Sequence, residues 1–324
     1  MDLTPPHLAG WDAELRSALE DLQLDRWRCA KQLLRDTGYD WPLRTSRSQA
    51  LAVGAAKCQA IEAWLAEEPD DWDALMMWAR VLTQRVLNAR RDGVSGQRLV
   101  RAVHAASAVC KTAADRWRED PVPFVCFVAL AQVDTDPRSP HTWMNWASKR
   151  GDMLPPGPWE LLEWVHQRDP YSREAYHRML QVFQARGRGG MDFAQWAASV
   201  APEGSALKVL PLYAAVEEYR RQTAQKRTVG TIAYWASEVR AYYAKQALTD
   251  WFDQTKPHMR SLLDLNHLAY VLTATGVGNA AEVFEAIGPY VTTAPWALVT
   301  ENVHWWQDQF RSARNRALSE RGRR

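Results

Sequence analysis

A chain of 324 residues, 47% of them hydrophobic, holds enough apolar material for a large core, which excludes wholesale disorder. Its 40 Lys and Arg against 38 Asp and Glu leave a net charge of +2, without the basic excess that a nucleic-acid-binding domain carries. No run approaches the roughly 18 apolar residues of a membrane helix, and Met1-Asp2-Leu3-Thr4-Pro5-Pro6 is not a basic segment leading into an apolar one, so a cytoplasmic protein with no membrane partner is expected.

In chain order, Leu15, Ala18, Leu19 and Leu22, then Trp27, Leu33 and Leu34, recur at helical spacing and predict one amphipathic helix over 11–37. Gly38-Tyr39-Asp40-Trp41-Pro42 should break it, because Gly admits left-handed dihedrals and Pro42 disfavours helix at Trp41. A second helix is expected over 48–65, then a turn at Glu67-Glu68-Pro69-Asp70-Asp71. Helices over 74–91 and 99–117 follow, separated by Asp92-Gly93-Val94-Ser95-Gly96. Pro170 stops a further helix and Ser172 is placed to cap the next, in which Tyr176, Met179, Leu180 and Phe183 share one face up to Gly187. A segment over 193–200 reads as its hairpin partner. Beyond it, helices are expected over 207–225, 231–252, 261–275, 280–287 and 296–318. No stretch alternates with period two, so the fold class is all-α.

The turns share an internal pattern. Nine and ten positions after Pro69 stand Trp78 and Ala79; after Pro121, Leu130 and Ala131; after Pro170, Met179 and Leu180; Leu268-Ala269 repeats the bulky–small pair. This pair resembles the one in the first helix of tetratricopeptide repeats, where a small residue lets the partner helix approach. The prolines, however, stand farther apart than the about 34 residues of the standard unit. Extra turns at Asp136-Pro137-Arg138-Ser139-Pro140 and Pro155-Pro156-Gly157-Pro158 account for the irregularity. The resemblance implies an irregular right-handed α-solenoid of antiparallel helix pairs in one continuous domain, 1–324. Residues 1–45 would cap it, 46–294 would form the hairpins, and 295–324 would supply a closing helix and basic tail. From about residue 40 onward the chain is also similar to a group of uncharacterised tetratricopeptide-like proteins from actinomycetes. Arg168-Asp169-Pro170, Arg173-Glu174-Ala175, Leu210-Pro211-Leu212-Tyr213, Leu263-Asp264-Leu265-Asn266-His267-Leu268-Ala269 and Ala286-Ile287-Gly288-Pro289-Tyr290 carry that similarity. It implies a shared architecture and no catalytic assignment.

Residues with chemistry are few in arrangement if not in number. The acidic run Glu67, Glu68, Asp70, Asp71 and Asp73 is of a kind that holds magnesium through carboxylate oxygens. It follows a proline at a helix start, however, where carboxylates meet the positive end of the helix dipole, and capping is the simpler reading. Cys29, Cys58, Cys110 and Cys126 lie in apolar helical runs with no Cys-x-x-Cys pair and read as small buried hydrophobes. No two histidines stand three or four apart, no Gly-x-Ser-x-Gly elbow occurs, and no Gly-rich loop precedes Lys-Ser/Thr. No catalytic residue, metal or cofactor is assigned. The 17 tryptophans are read as fillers between stacked helices.

Binding is the better supported class. In tetratricopeptide arrays the non-core positions of the first helices line a concave groove. Projected here, that rule selects Met77, Arg80 and Thr83, then Glu174, His177, Arg178, Gln181 and Gln184, then Asn266 and Tyr270. Arg and Asn there suit a partner's carboxylate, since Arg donates a bidentate fork. The expectation is a scaffold or regulatory adaptor for another protein or peptide, in which charge reversal at Arg80 and Arg178 abolishes capture and spares the helical CD signal. An alternative is an enzyme or small-molecule binder with a pocket lined by Tyr234, Trp235, Tyr242, Tyr243, Trp251 and His304-Trp305-Trp306. A weaker one is nucleic-acid binding through Arg311, Arg314, Arg316, Arg321, Arg323 and Arg324, which otherwise suit the negative end of a helix dipole and a frayed tail. Nucleic acid is not the expected partner, and assembly as a homodimer stays open.

Overall fold

The helical periodicity of the sequence carries through: the computed structural model describes residues 3, 7–136, 144–147, 154–225, 230–300 and 302–321, and is all-helical with no strand among them. The expected turn at residues 136–140 is described only at Asp136, and Arg323 and Arg324 lie outside the described residues. Among the described residues no helix is long and apolar enough to cross a membrane. The chain falls into two compact units, Leu8–Gly189 and Gly190–Arg324 with Met1–His7.

The first unit contains α1 (Ala13–Gln23), α2 (Arg28–Thr37), α3 (Trp41–Ala55), α4 (Ala60–Glu67) and α5 (Trp72–Arg91). It continues with α6 (Gly96–Arg116), α7 (Val122–Ala131), α8 (Met144–Ala147), α9 (Trp159–His166) and α10 (Arg173–Ala185). The single helix expected over 11–37 is two. Asp25 takes a left-handed conformation at φ 55°, and its carboxylate accepts the Gln59 N–H at 2.8 Å, a tertiary contact that periodicity does not register. Trp41-Pro42 starts a helix rather than ending one. Asp40 accepts the Leu43 N–H at 3.1 Å, and Pro42 falls in the first turn, where its missing N–H would have had no partner. Ser172 holds the N-cap position of α10, but its hydroxyl makes no capping bond.

Helix α5 is central because it is apolar on more than one face. Met76, Met77, Ala79, Val81 and Val86 are all buried, and α3, α4, α6 and α7 pack on it. Ala79 sits in a core with Leu99, Cys110, Cys126 and Leu130, the close approach that a small side chain permits. A second core gathers Leu22, Leu34, Ile61 and the stacked rings of Trp27 and Trp64, 5.5 Å apart. Helix α7 packs on α3, α5 and α10, α3 meets both α5 and α10, and α5 reaches α10 through the Arg80–Glu174 side chains.

The second unit contains α11 (Gly190–Val200), α12 (Leu210–Ala224), α13 (Thr231–Trp235), α14 (Glu238–Gln246), α15 (Leu262–Thr275), α16 (Ala280–Ile287), α17 (Trp296–Val299) and α18 (Trp306–Arg321). The helix expected over 231–252 is broken into α13, α14 and a π-helical turn over Ala247–Phe252. The one expected over 296–318 is interrupted by a 3₁₀ turn, Val303–Trp305. One large core unites Trp235, Trp251, Tyr270, Phe284, Trp296 and Phe310, and Leu3 packs against it. The hairpin expected from α10 and α11 straddles the boundary between the units: α10 packs on α7 and α9, and α11 on α12.

Candidate functional site

The expected groove residues are mostly interior. Met77, Arg80, Thr83, Glu174 and Arg178 are buried in the first unit, with His177 and Gln184 half-buried and only Gln181 exposed. Asn266 and Tyr270 are buried in the second, where the Asn266 carboxamide accepts the Trp296 indole N–H at 2.9 Å and donates to the Leu262 carbonyl. The reason is plain in the first unit. Because α3 and α10 meet, the faces of α5 and α10 that an open array would leave concave are closed on each other.

Arg80 does clamp a carboxylate, but an internal one. Its two terminal nitrogens donate to Glu174 at 2.7 and 2.5 Å, one also to the Thr45 carbonyl at 3.0 Å, and Nε donates to the Ser48 hydroxyl at 3.3 Å. Arg178 adds a bond to Glu174 at 3.2 Å and one to Gln181. Burial alone raises the Glu174 carboxyl, yet Arg80 and Arg178 outweigh it and hold it below the usual glutamate range.

A surface cleft of about 590 Å³ opens in this unit between the end of α2, the start of α5 and the end of α6. Arg35, Glu68, Pro69, Asp70, Asp71, Trp72, Asp73 and Trp117 line it. Asp71 caps α5 by accepting the Asp73 N–H at 2.9 Å, so the capping function read from the sequence is present. The carboxylates also bind cations from behind. Lys31 bonds Glu68 and stands 3.1 Å from Asp71, and Arg44, fully buried, bonds Asp73 and donates Nε–H to Asp120 at 3.0 Å. Burial raises the Asp71 carboxyl, and the bonds from Lys31 and the Asp73 N–H bring it down below the ordinary range. Asp70 pairs with Arg116 at 2.8 Å. Among the described residues no group of His, Cys, Asp and Glu is arranged to hold a metal ion.

Aromatic rings form the rim. Trp117 receives Trp72 at 5.2 Å, Trp41 at 5.5 Å and Tyr39 at 5.8 Å, all edge to face. Beneath them the Arg44 guanidinium lies 4.8 Å from the Trp117 ring centre. Trp72 and Tyr39 nevertheless remain 52% and 68% exposed. The sequence carries a signal for this cluster to which periodicity is blind: Tyr39, Trp41, Trp72 and Trp117 are large rings at helix ends, beside Gly, Pro and Asp, rather than on apolar faces.

The aromatic supply of the second unit serves its core. Trp235, Trp251 and Tyr234 are buried, and the Tyr234 hydroxyl donates to the Ala215 carbonyl at 2.7 Å, while Tyr242 and Trp305 point outward. In the C-terminal helix Arg311 pairs with Asp308 at 2.9 Å and Arg321 with Glu285 at 2.7 Å. Comparison of the chain with protein-family models, with curated proteins and with solved structures yields no match.

Proposed function

We propose that this chain is a scaffold or adaptor that binds a segment of another protein. In this reading its helices are an irregular, right-handed, tetratricopeptide-like array, and the contact surface is the acidic and aromatic cleft at the ends of α2, α5 and α6 rather than a concave groove. The observation that carries it is the pair Trp72 and Tyr39. Each is more than half exposed, and both are fixed edge to face on Trp117, so large rings are held rigid in solvent where they do no work for the core. Rings of this kind supply much contact area at small entropy loss, which is why Trp and Tyr dominate the energetics of interfaces. The array is supported by α5 and α6, joined by a four-residue connection, with Asp70 before the first paired to Arg116 at the end of the second, so the two run antiparallel.

The test is selection of displayed random peptides on the intact protein, followed by affinity measurement on Trp72→Ala and Tyr39→Ala. Selected peptides are expected to lose about tenfold or more in affinity on Trp72→Ala. Peptides that bind both variants as well as wild type would move the site elsewhere, and failure to select any would remove the reading.

A further inference from the structure

The first unit repeatedly builds one arrangement: a cation over an indole face, gripped by carboxylates. Arg44 lies 4.8 Å from the Trp117 ring centre and is held by Asp73 and Asp120. Lys31 lies 5.6 Å from the Trp27 ring centre and is held by Glu68 and Asp71. Arg85 lies 5.4 Å from that of Trp78 and bonds Glu62 at 2.7 Å. The chemistry is additive, since the ring quadrupole attracts the cation from its face while the carboxylates bind the N–H groups.

The cleft sets an indole and carboxylates side by side again, with its cations bound to the carboxylates and none over the ring. Trp72 stands half exposed at its mouth, and among the described residues no Lys or Arg lies over its ring. Asp70, 93% exposed at its side chain, and Glu68, which gives Lys31 its Oε2, stand beside it. Four carboxylates, Glu68, Asp70, Asp71 and Asp73, line it beside the cation Arg35, and of these Asp71 and Asp73 are held by buried or half-buried cations behind the wall, while Asp70 is engaged only at the surface. The bond of Asp70 to Arg116 is between two exposed groups, a contact that solvent screens nearly away and an incoming cation can displace.

We infer that the cleft receives an arginine side chain of the partner segment, stacked on Trp72 and bonded by Asp70 and Glu68; the inference rests on the peptide-binding reading above. Arginine suits the site better than lysine because its planar guanidinium lies flat on an indole and presents a fork to carboxylates.

The probe is N-acetyl-arginine amide, titrated into the full chain carrying ¹⁵N-labelled tryptophan, with the Trp72 indole signal identified by its loss in Trp72→Phe. A saturable shift of that signal in the millimolar range is expected. The neutral isostere N-acetyl-citrulline amide should bind about tenfold more weakly or worse, and Glu68→Gln with Asp70→Asn should abolish the shift. An unmoved Trp72 indole, or equal shifts from the two amides, overturns the assignment. Displayed peptides that depend on Trp72 but carry no arginine and ignore Glu68→Gln/Asp70→Asn overturn it too, while leaving peptide binding in place. An arginine-amide shift in a protein that selects no peptide supports the cation site and defeats the peptide reading alone.

Discussion

Arg80 on α5 holds both carboxylate oxygens of Glu174 on α10, 94 residues further along the chain, at 2.7 and 2.5 Å, and the two side chains are 3% and 5% exposed. A pair so deeply buried is held less by its own attraction than by the penalty for losing one partner, because the other is then a lone charge in the interior.

Arg80→Ala or Glu174→Ala should therefore each destabilise the chain by about 3–5 kcal/mol in urea unfolding, and the double change Arg80→Met/Glu174→Leu should recover most of the loss. The charge reversal of Arg80 and Arg178, expected from the sequence to spare the helical CD signal, should instead diminish it, since it surrounds buried Glu174 with like charge. Retention of a wild-type melting curve in either single variant would contradict the buried geometry.

The same pair sets a pH dependence. The Glu174 carboxyl is held below its unfolded value, so its stabilisation is complete above the unfolded pKa of about 4.3 and is lost as pH falls through the folded one. Asp120 and Asp169 act with the opposite sign, because burial raises them. Comparison with Glu174→Gln cancels their contributions. The gap in Tm between wild type and this variant should be flat from neutral pH down to about pH 5 and narrow below about pH 4. A gap that does not narrow on acidification would mean that Glu174 is not held ionised.

Two tryptophans should separate binding from stability. Trp64 is fully buried on Trp27, and Trp64→Ala should cost about 3–5 kcal/mol in the core it vacates. Trp72 is half exposed at the first position of α5, and Trp72→Ala should change stability by about 0.5 kcal/mol or less. Chemical denaturation of both variants decides it, and a large loss in the second would make Trp72 a structural residue.

The thiols should respond in order of burial. Cys29 is exposed, Cys58 half-buried, and Cys110 and Cys126 are buried, with the Cys110 sulfur 3.8 Å from the Thr83 hydroxyl. A hydrogen bond to Asp21, with some burial, raises the Cys29 thiol, so even it should react slowly near neutral pH. Titration with a disulfide reagent should modify Cys29 first and reach Cys110 and Cys126 only on unfolding. Early loss of Cys110 would show that α6 and α7 open in the native state.

Several local features are legible in the residues alone. The turn at Pro69 and the cap at Asp71 follow from residues a few positions apart, and the all-helical class follows from period. The small members of the bulky–small pairs, Ala79 and Ala131, are buried, as close helix approach requires. Most of the residues that the repeat rule selects for a groove are buried, which the sequence does not register. That rule assumes an open array, and whether α3 meets α10 depends on how small rotations accumulate over the intervening helices. Asp25 likewise reads as a passing residue in a long amphipathic run, and only its bond to the Gln59 N–H marks it as the break between α1 and α2.

What the sequence determined by itself is what local forces decide: helix, helix ends, and which face of each helix is apolar. These depend on φ and ψ preferences and on side chains three or four residues apart. The tertiary structure alone decided that Arg80 bonds Glu174 and that Arg44 bonds Asp120, 76 residues away. It decided that Tyr39, Trp41, Trp72 and Trp117 share one rim, and that the chain parts at Gly189 and Gly190 into two compact units. Such pairings are chosen by packing and by the need to neutralise a buried charge, and neither leaves a periodic mark on the chain that carries it.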